Sequence, residues 1–203
     1  MSPRRYRMGA RAGAVDRTRR SIVEAARILH GERGLAAAGW DDIAERAGVS
    51  TATVYRHFPS LAELIPACAR TVFDIMKPPT VEEASATFAT LDTAGDRFEQ
   101  LVRYSCHCYE AGAAWLHAAH RERDFVPELD QALRVIEDTL RVLVTAAAGR
   151  RLTHNDHRVL FVLCDFPEWW SFTDSGLGSA AVADLLVRLV RNEVDRIGLD
   201  PKE

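Results

Sequence analysis

An all-α fold, a small basic head followed by a larger helical body, is predicted by three observations. Apolar residues recur at helical spacing along most of the chain, no stretch keeps the two-residue alternation of a half-buried strand, and short breaks marked by Gly or Pro separate the stretches. Charge divides the same 203 residues in two: residues 1–60 carry 11 Lys+Arg against 6 Asp+Glu, a net of +5, whereas residues 61–203 carry 15 against 23, a net of −8. A basic head on an acidic body implies that only the head meets a polyanion.

With 47% hydrophobic residues the chain can bury a sizeable core, and its length fits one domain or two small ones. No apolar run reaches the roughly 18 residues that span a bilayer. The Arg-rich N-terminus lacks the apolar stretch of a signal peptide. A soluble, cytoplasmic protein with no membrane partner is expected. Cys68, Cys106, Cys108 and Cys164 have neither the density nor the spacing of a secreted disulfide framework, so free thiols are expected.

In chain order, residues 1–15 are polar and are expected to form a flexible basic arm. The first helix spans Asp16 to Arg33, with Ile22, Ala25, Ala26 and Leu29 on one face and Gly31 and Gly34 at its end. The stretch from Ser60 to Lys77 follows a Pro-Ser pair that can cap a helix and stops at Pro78-Pro79, which places the end of the head at residue 77. The body, residues 78–203, is expected to hold helices near 95–111, 113–123, 127–148, 153–174 and 179–197. Their dividers are Gly112, Pro127, Gly149-Arg150-Arg151 and the Gly176/Gly178 pair.

Between the first helix and Ser60 lies DDIAERAGVSTATVYRHF, residues 41–58. Ile43, Ala44 and Ala47 make one buried face, and Val54 and Phe58 make another. Gly48 sits where a helix C-terminus favours the left-handed region, Val49 can tuck beneath the turn, and the Ser50 hydroxyl can cap the following helix. Two short helices at a fixed angle make a helix-turn-helix, whose second helix fits a major groove about 12 Å wide. The polar, non-core residues of that helix are Thr51, Thr53, Tyr55, Arg56 and His57.

The segment DDIAERAGVSTATVYRHFPSLAEL resembles the DNA-binding signature of TetR-type transcriptional regulators. The resemblance is specific over residues 16–77, including AARILHGERG of the first helix, and loose beyond. It implies a three-helix head, a larger ligand-binding and dimerisation body, and a recognition helix over Thr51 to Phe58. The DNA-contacting set it implies is Arg17, Arg20, Ser50, Thr51, Thr53, Tyr55, Arg56 and His57 on double-stranded operator DNA. Two positions depart from the pattern. Leu61 stands where similar proteins commonly place a lysine that meets a phosphate. Gly39-Trp40-Asp41-Asp42 replaces a threonine cap with uncharged or basic neighbours. Asp41 and Asp42 suit the positive end of their own helix but repel phosphate, while Trp40 is expected in the head's core. Arg4, Arg5, Arg7 and Arg11 of the arm are candidates to restore the lost grip.

The body's aromatic residues concentrate in three segments with interspersed polar groups, as an apolar ligand cavity requires. Tyr104, His107, Trp115, Phe125, Cys164 and Trp169 are the candidate lining residues for a small apolar or amphipathic effector. The competing class is a helical enzyme, or a thiol or metal sensor, using the Cys and His residues of YSCHCYE, residues 104–110, with His117 or His120. Adjacent residues on a helix point about 100° apart, and a two-residue spacing puts Cys106 and Cys108 on different faces. No metal, cofactor or catalytic residue is therefore expected. His154 and His157 beside Asp156 read as a solvated helix start. Ala180, Ala181, Ala183, Leu185, Leu186, Leu189, Val190, Val194 and Ile197 form an apolar stripe wide enough for two neighbours. A homodimer through helices 153–174 and 179–197 is expected. The whole reads as a repressor released from its operator by a small-molecule effector.

Overall fold

The computed structural model describes the backbone of residues 3–200 and the side chains of residues 12–200. Ten helices and no strands are found among the described residues: α1 (Pro3–Arg33), α2 (Trp40–Ala47), α3 (Thr51–His57), α4 (Leu61–Met76), α5 (Val81–Phe88), α6 (Ala94–Glu122), α7 (Pro127–Ala148), α8 (His154–Cys164), α9 (Phe166–Asp174) and α10 (Ser179–Ile197).

The first three helices make the head, whose core holds Ile22, Ala26, Ile43, Val54 and Phe58, all at most 1% exposed. The long α6 is the axis of the body and packs against α4, α7, α9 and α10. It also packs against α1, so the head rests on the body's central helix. Buried residues of both regions form one continuous apolar cluster. With about 25 cal/mol per Å² of apolar surface favouring its burial, this shared seam couples the two parts.

Four sequence expectations are corrected. The helix expected to start at Asp16 starts at Pro3, so the segment expected as a flexible arm has helical backbone. Proline at the first helical position suits a helix start, and no proline follows it to stop the helix. The side chains of Arg4, Arg5, Arg7 and Arg11 lie outside the described residues. α5 was not anticipated, although Thr80-x-x-Glu83 is a capping box: Thr80 Oγ1 accepts from Glu83 N at 3.1 Å and Glu83 Oε2 accepts from Thr80 N at 2.9 Å. Gly112 does not break α6. It lets α4 approach, since a Cβ there would lie 2.7 Å from the sulfur of Met76. Finally, the helix expected over 153–174 is divided at Asp165, because Pro167 cannot donate a helical hydrogen bond and Asp165 Oδ1 caps the new helix through Phe166 N at 2.9 Å.

Candidate nucleic-acid interface and body cavity

The turn between α2 and α3 is built as its residues dictate. Gly48 is left-handed (φ 68°), and the bonds Val49 N to Ala44 O (3.0 Å) and Gly48 N to Glu45 O (3.1 Å) close a Schellman turn. Ser50 Oγ then accepts from Thr53 N at 3.2 Å and pairs with the Thr53 hydroxyl at 3.0 Å. Val54 and Phe58 are fully buried, which fixes the rotation of α3.

That rotation leaves Tyr55 46% exposed and Arg56 exposed, with Thr51, Thr53 and His57 half-buried. The Thr51 hydroxyl donates to Asp41 Oδ1 at 2.7 Å, so the acidic residue that departs from the usual pattern holds the first residue of α3. Trp40 is partly buried against the head's core, and its ring lies 5.1 Å from that of Tyr55, propping the tyrosine outward. The His57 imidazole is held below its ordinary pKa by desolvation and then by the charges of Arg56 and Arg19. The shift favours the neutral imidazole, a short polar donor and acceptor.

Arg17 and Arg20 are exposed on α1. Arg19, between them, donates to the carbonyl oxygen of His57 at 2.9 Å and lies 4.1 Å over the Phe58 ring. This pins the C-terminus of α3 to α1 by a charge-assisted bond and a cation–π contact. Sequence reasoning missed Arg19, since no local pattern marks an arginine that reaches a carbonyl 38 residues away. Leu61, at the start of α4, is 38% exposed.

The body contains a cavity of about 660 Å³ between the C-terminal end of α4, α5, α6 and α7. Its inner wall is Phe73, Met76, Phe88, Leu101, Cys108, Tyr109, Leu140 and Leu143, and its mouth is ringed by Pro78, Glu83, Thr87, Gln100 and Tyr104. Of the six residues singled out from the sequence as lining, only Tyr104 is there. His107 and Phe125 face solvent, Phe125 being 84% exposed. Trp115, Cys164 and Trp169 are at most 3% exposed and belong to the packed core behind it, where Tyr109 donates to the Cys164 carbonyl oxygen at 2.9 Å. Phe73, Phe88, Leu140 and Leu143 were not recognised, because aliphatic and phenylalanine side chains on helices look like core until the tertiary gap is known.

The cysteine and histidine residues of this part of the body are held by burial and stacking. Burial pushes the Cys106 thiol up to about 12 and the Cys108 thiol up to about 11, which keeps both protonated. Cys108 donates to Met76 O at 3.3 Å. His117 stacks on Trp170 with ring centroids 4.1 Å apart, and His120 stacks on Phe166 at 5.1 Å. Among the described residues no three Cys, His, Asp or Glu side chains come together as metal ligands would.

Head and body meet at a specific latch. Glu122, at the end of α6, accepts from the backbone N–H groups of Leu35 (2.9 Å) and Ala36 (3.1 Å) with one oxygen. Gly34 makes room for it: its φ is +85°, and a Cβ would fall 2.0 Å from the other Glu122 oxygen. Beneath the latch His30 is fully buried with neither ring nitrogen hydrogen-bonded, and desolvation lowers its pKa to about 4 despite the nearby Glu122 charge.

The fold is thus a helix-turn-helix head seated on a larger helical body that holds a cavity. Residues 22–68, the head and the first half of α4, match the family model of bacterial regulatory proteins, tetR family. The HTH-type transcriptional repressor LfrR of Mycolicibacterium smegmatis is 40% identical over 83 residues, 41% of this chain and 42% of that protein, so the match spans less than half of the repressor's length. The body is similar in fold to solved regulators. The transcriptional regulator FadR from Bacillus subtilis, in complex with stearoyl-CoA, superposes with a TM-score of 0.62 at 15% identity, over 85% of this chain and 97% of that one. The fatty acid degradation regulator FadR from Bacillus halodurans gives 0.59 at 15% identity, over 85% and 93%.

Proposed function

We propose that the chain is a ligand-responsive transcriptional repressor: its head holds operator DNA through α3 and the exposed turn of α1, and an effector in the body cavity weakens that hold. The observation that carries this reading is the position of the cavity. Its wall includes Phe73 and Met76 of the last turns of α4, the helix that follows the head directly, and one face of α6, the helix that latches the head through Glu122. An occupant that displaces either helix changes how the head is carried.

The recognition set is Tyr55, Arg56, Thr51, Thr53, His57 and Ser50, with Arg17 and Arg20 on the flanking backbone. Two copies are needed, since two recognition helices must meet major grooves about 34–36 Å apart. The dimer face we assign is the outer side of α8 and α10, where Val159 (42%) and Val162 (50%) of α8 and Ala181 of α10 are exposed and Leu185 is half-buried, with Leu177 (41%) exposed in the turn before α10. Val190 and Val194 do not belong to it, because they are fully buried in their own subunit. The effector acts by shifting the population between head spacings, which requires only that it bind one spacing better. No catalytic step is assigned, and no described helix is long and apolar enough to cross a membrane. The site of action is the cytoplasm, where the operator is.

The test is selection of a duplex from a random library by the purified protein, followed by salt titration. A palindromic site bound with a log–log salt slope of several counterions is expected. Binding that is indifferent to sequence and salt would remove the reading.

A further inference from the structure

The lining of the cavity has a sign. Among its residues there is no lysine, arginine or histidine, and Glu83 supplies the only formal charge. One oxygen of Glu83 caps Thr80 N. The other is uncommitted among the described residues. The negative end of the α4 dipole abuts the same space through Phe73 and Met76, whereas the positive end of α5 is already answered by the Glu83 and Thr80 capping box. Lys77, next to that end of α4, is exposed and is no part of the wall.

The hydrogen-bond donors of the wall are largely spent on protein carbonyls. Tyr104 donates to Lys77 O at 3.5 Å, Tyr109 to Cys164 O at 2.9 Å, Thr87 to Glu83 O at 3.0 Å and Thr139 to Val135 O at 2.8 Å. Cys108 donates to Met76 O. With those donors engaged, the polar groups left on the wall are the second Glu83 oxygen and the amphoteric Ser105 and Gln100, beside the aromatic residues Phe73, Phe88 and Tyr104. A carboxylate or phosphate ligand would enter with its charge unanswered, at a cost that burial makes large. A bulky cation meets the carboxylate of Glu83 and the faces of Phe73, Phe88 and Tyr104.

Resting on the reading of this cavity as the effector site, we propose that it selects lipophilic cations of drug size and rejects lipophilic anions, with Glu83 as the specificity-determining residue. The volume of about 660 Å³ lies within the range of about 300–1,000 Å³ typical of sites for such molecules.

The experiment uses the full chain and three probes, the nearly isosteric ions tetraphenylphosphonium and tetraphenylborate and the smaller neutral triphenylphosphine oxide, each titrated calorimetrically. The phosphonium is expected to bind at least tenfold more tightly than the borate. Glu83→Gln, which keeps the capping acceptor, should weaken the phosphonium about three- to tenfold and leave the phosphine oxide unchanged. Leu140→Trp from α7 and Ala84→Leu from α5 narrow the cavity from different walls and should weaken every probe. Equal or tighter borate binding that is lost on narrowing overturns the charge selectivity while leaving the cavity as the effector site. Failure of all three probes to bind, or binding indifferent to both narrowing variants, overturns the cavity reading itself.

Discussion

The head and the body solve opposite problems with the same kind of helix. In the head the groups proposed to meet DNA are held still and left outside: Tyr55 stands 46% exposed against Trp40, Thr51 is tied to Asp41, and Arg19 anchors the end of α3. In the body the feature is a space, and of the polar side chains around it Thr87 and Thr139 bond their own helices' carbonyls while Tyr104 and Tyr109 bond carbonyls of other elements. Rigidity in the head comes from caps and local bonds, whereas the shape of the body comes from packing between helices distant in the chain. A recognition surface of the first kind tolerates little change. A cavity of the second kind can be retuned residue by residue.

Several expected outcomes test that contrast, beginning with the head. Arg56→Ala and Tyr55→Ala should each cost operator affinity about 10- to 100-fold, since each removes a group that the proposed function places in the groove, worth about 1–3 kcal/mol, while the melting temperature moves little. Anisotropy with labelled duplex and a melting curve read both. Equal losses of stability and affinity would mean that these side chains hold the head together.

Glu122→Ala should lower stability by about 1–3 kcal/mol, because it takes the acceptor from two amide groups, one of them on the buried Leu35. Hydrogen exchange should quicken at Leu35 and Ala36 first. Protection there that survives the substitution would show that the latch is incidental.

His30 makes a prediction about pH. Its folded pKa of about 4 lies below the ordinary 6.5, so the unfolded chain binds the extra proton between those values and stability rises with pH. The contribution is complete above about 6.5 and is lost as pH falls toward 4. Between pH 7.5 and 5 the loss comes to about 2 kcal/mol. His120, also lowered to about 4, adds a loss of the same sign, whereas Asp165, raised to about 6 by burial, opposes both. His30→Phe should therefore reduce the acid sensitivity of urea unfolding by about 2 kcal/mol relative to wild type, and an unchanged pH slope would count against it.

The smallest effect is expected at Leu61→Lys. The side chain is 38% exposed at the start of α4, and a lysine meeting one phosphate there should steepen the salt slope by about 0.9. An unchanged slope would place this position away from the DNA backbone.

How much could be read from sequence follows the same division. Gly48, Ser50, Val54 and Phe58 act within a few residues of one another, so the helix-turn-helix and its buried face were legible. The all-helical class and the boundaries of α4, α7 and α10 were legible for the same reason. Gly112 was misread as a break because its partner, Met76, lies on another helix. The division at Asp165 was signalled by Pro167 and overlooked, as was α5 by Thr80 and Glu83. Trp115, Cys164 and Trp169 carried the expected composition of a pocket but filled the core, because composition does not say where helices fail to touch. Val190, suited by pattern to a dimer face, turned inward with Leu186 and Val194.

In the proposed function, cavity and operator compete through α4 and α6, and such a coupling must be reciprocal. Whichever of the three probes binds the cavity, operator affinity should be measured with the cavity empty and saturated, and probe affinity with and without operator. The account predicts that the probe weakens operator binding at least tenfold, about 1.4 kcal/mol of coupling, and that operator weakens the probe by the same factor. A probe whose binding is lost on narrowing the cavity, yet which leaves the operator affinity of the wild type unchanged, would contradict it.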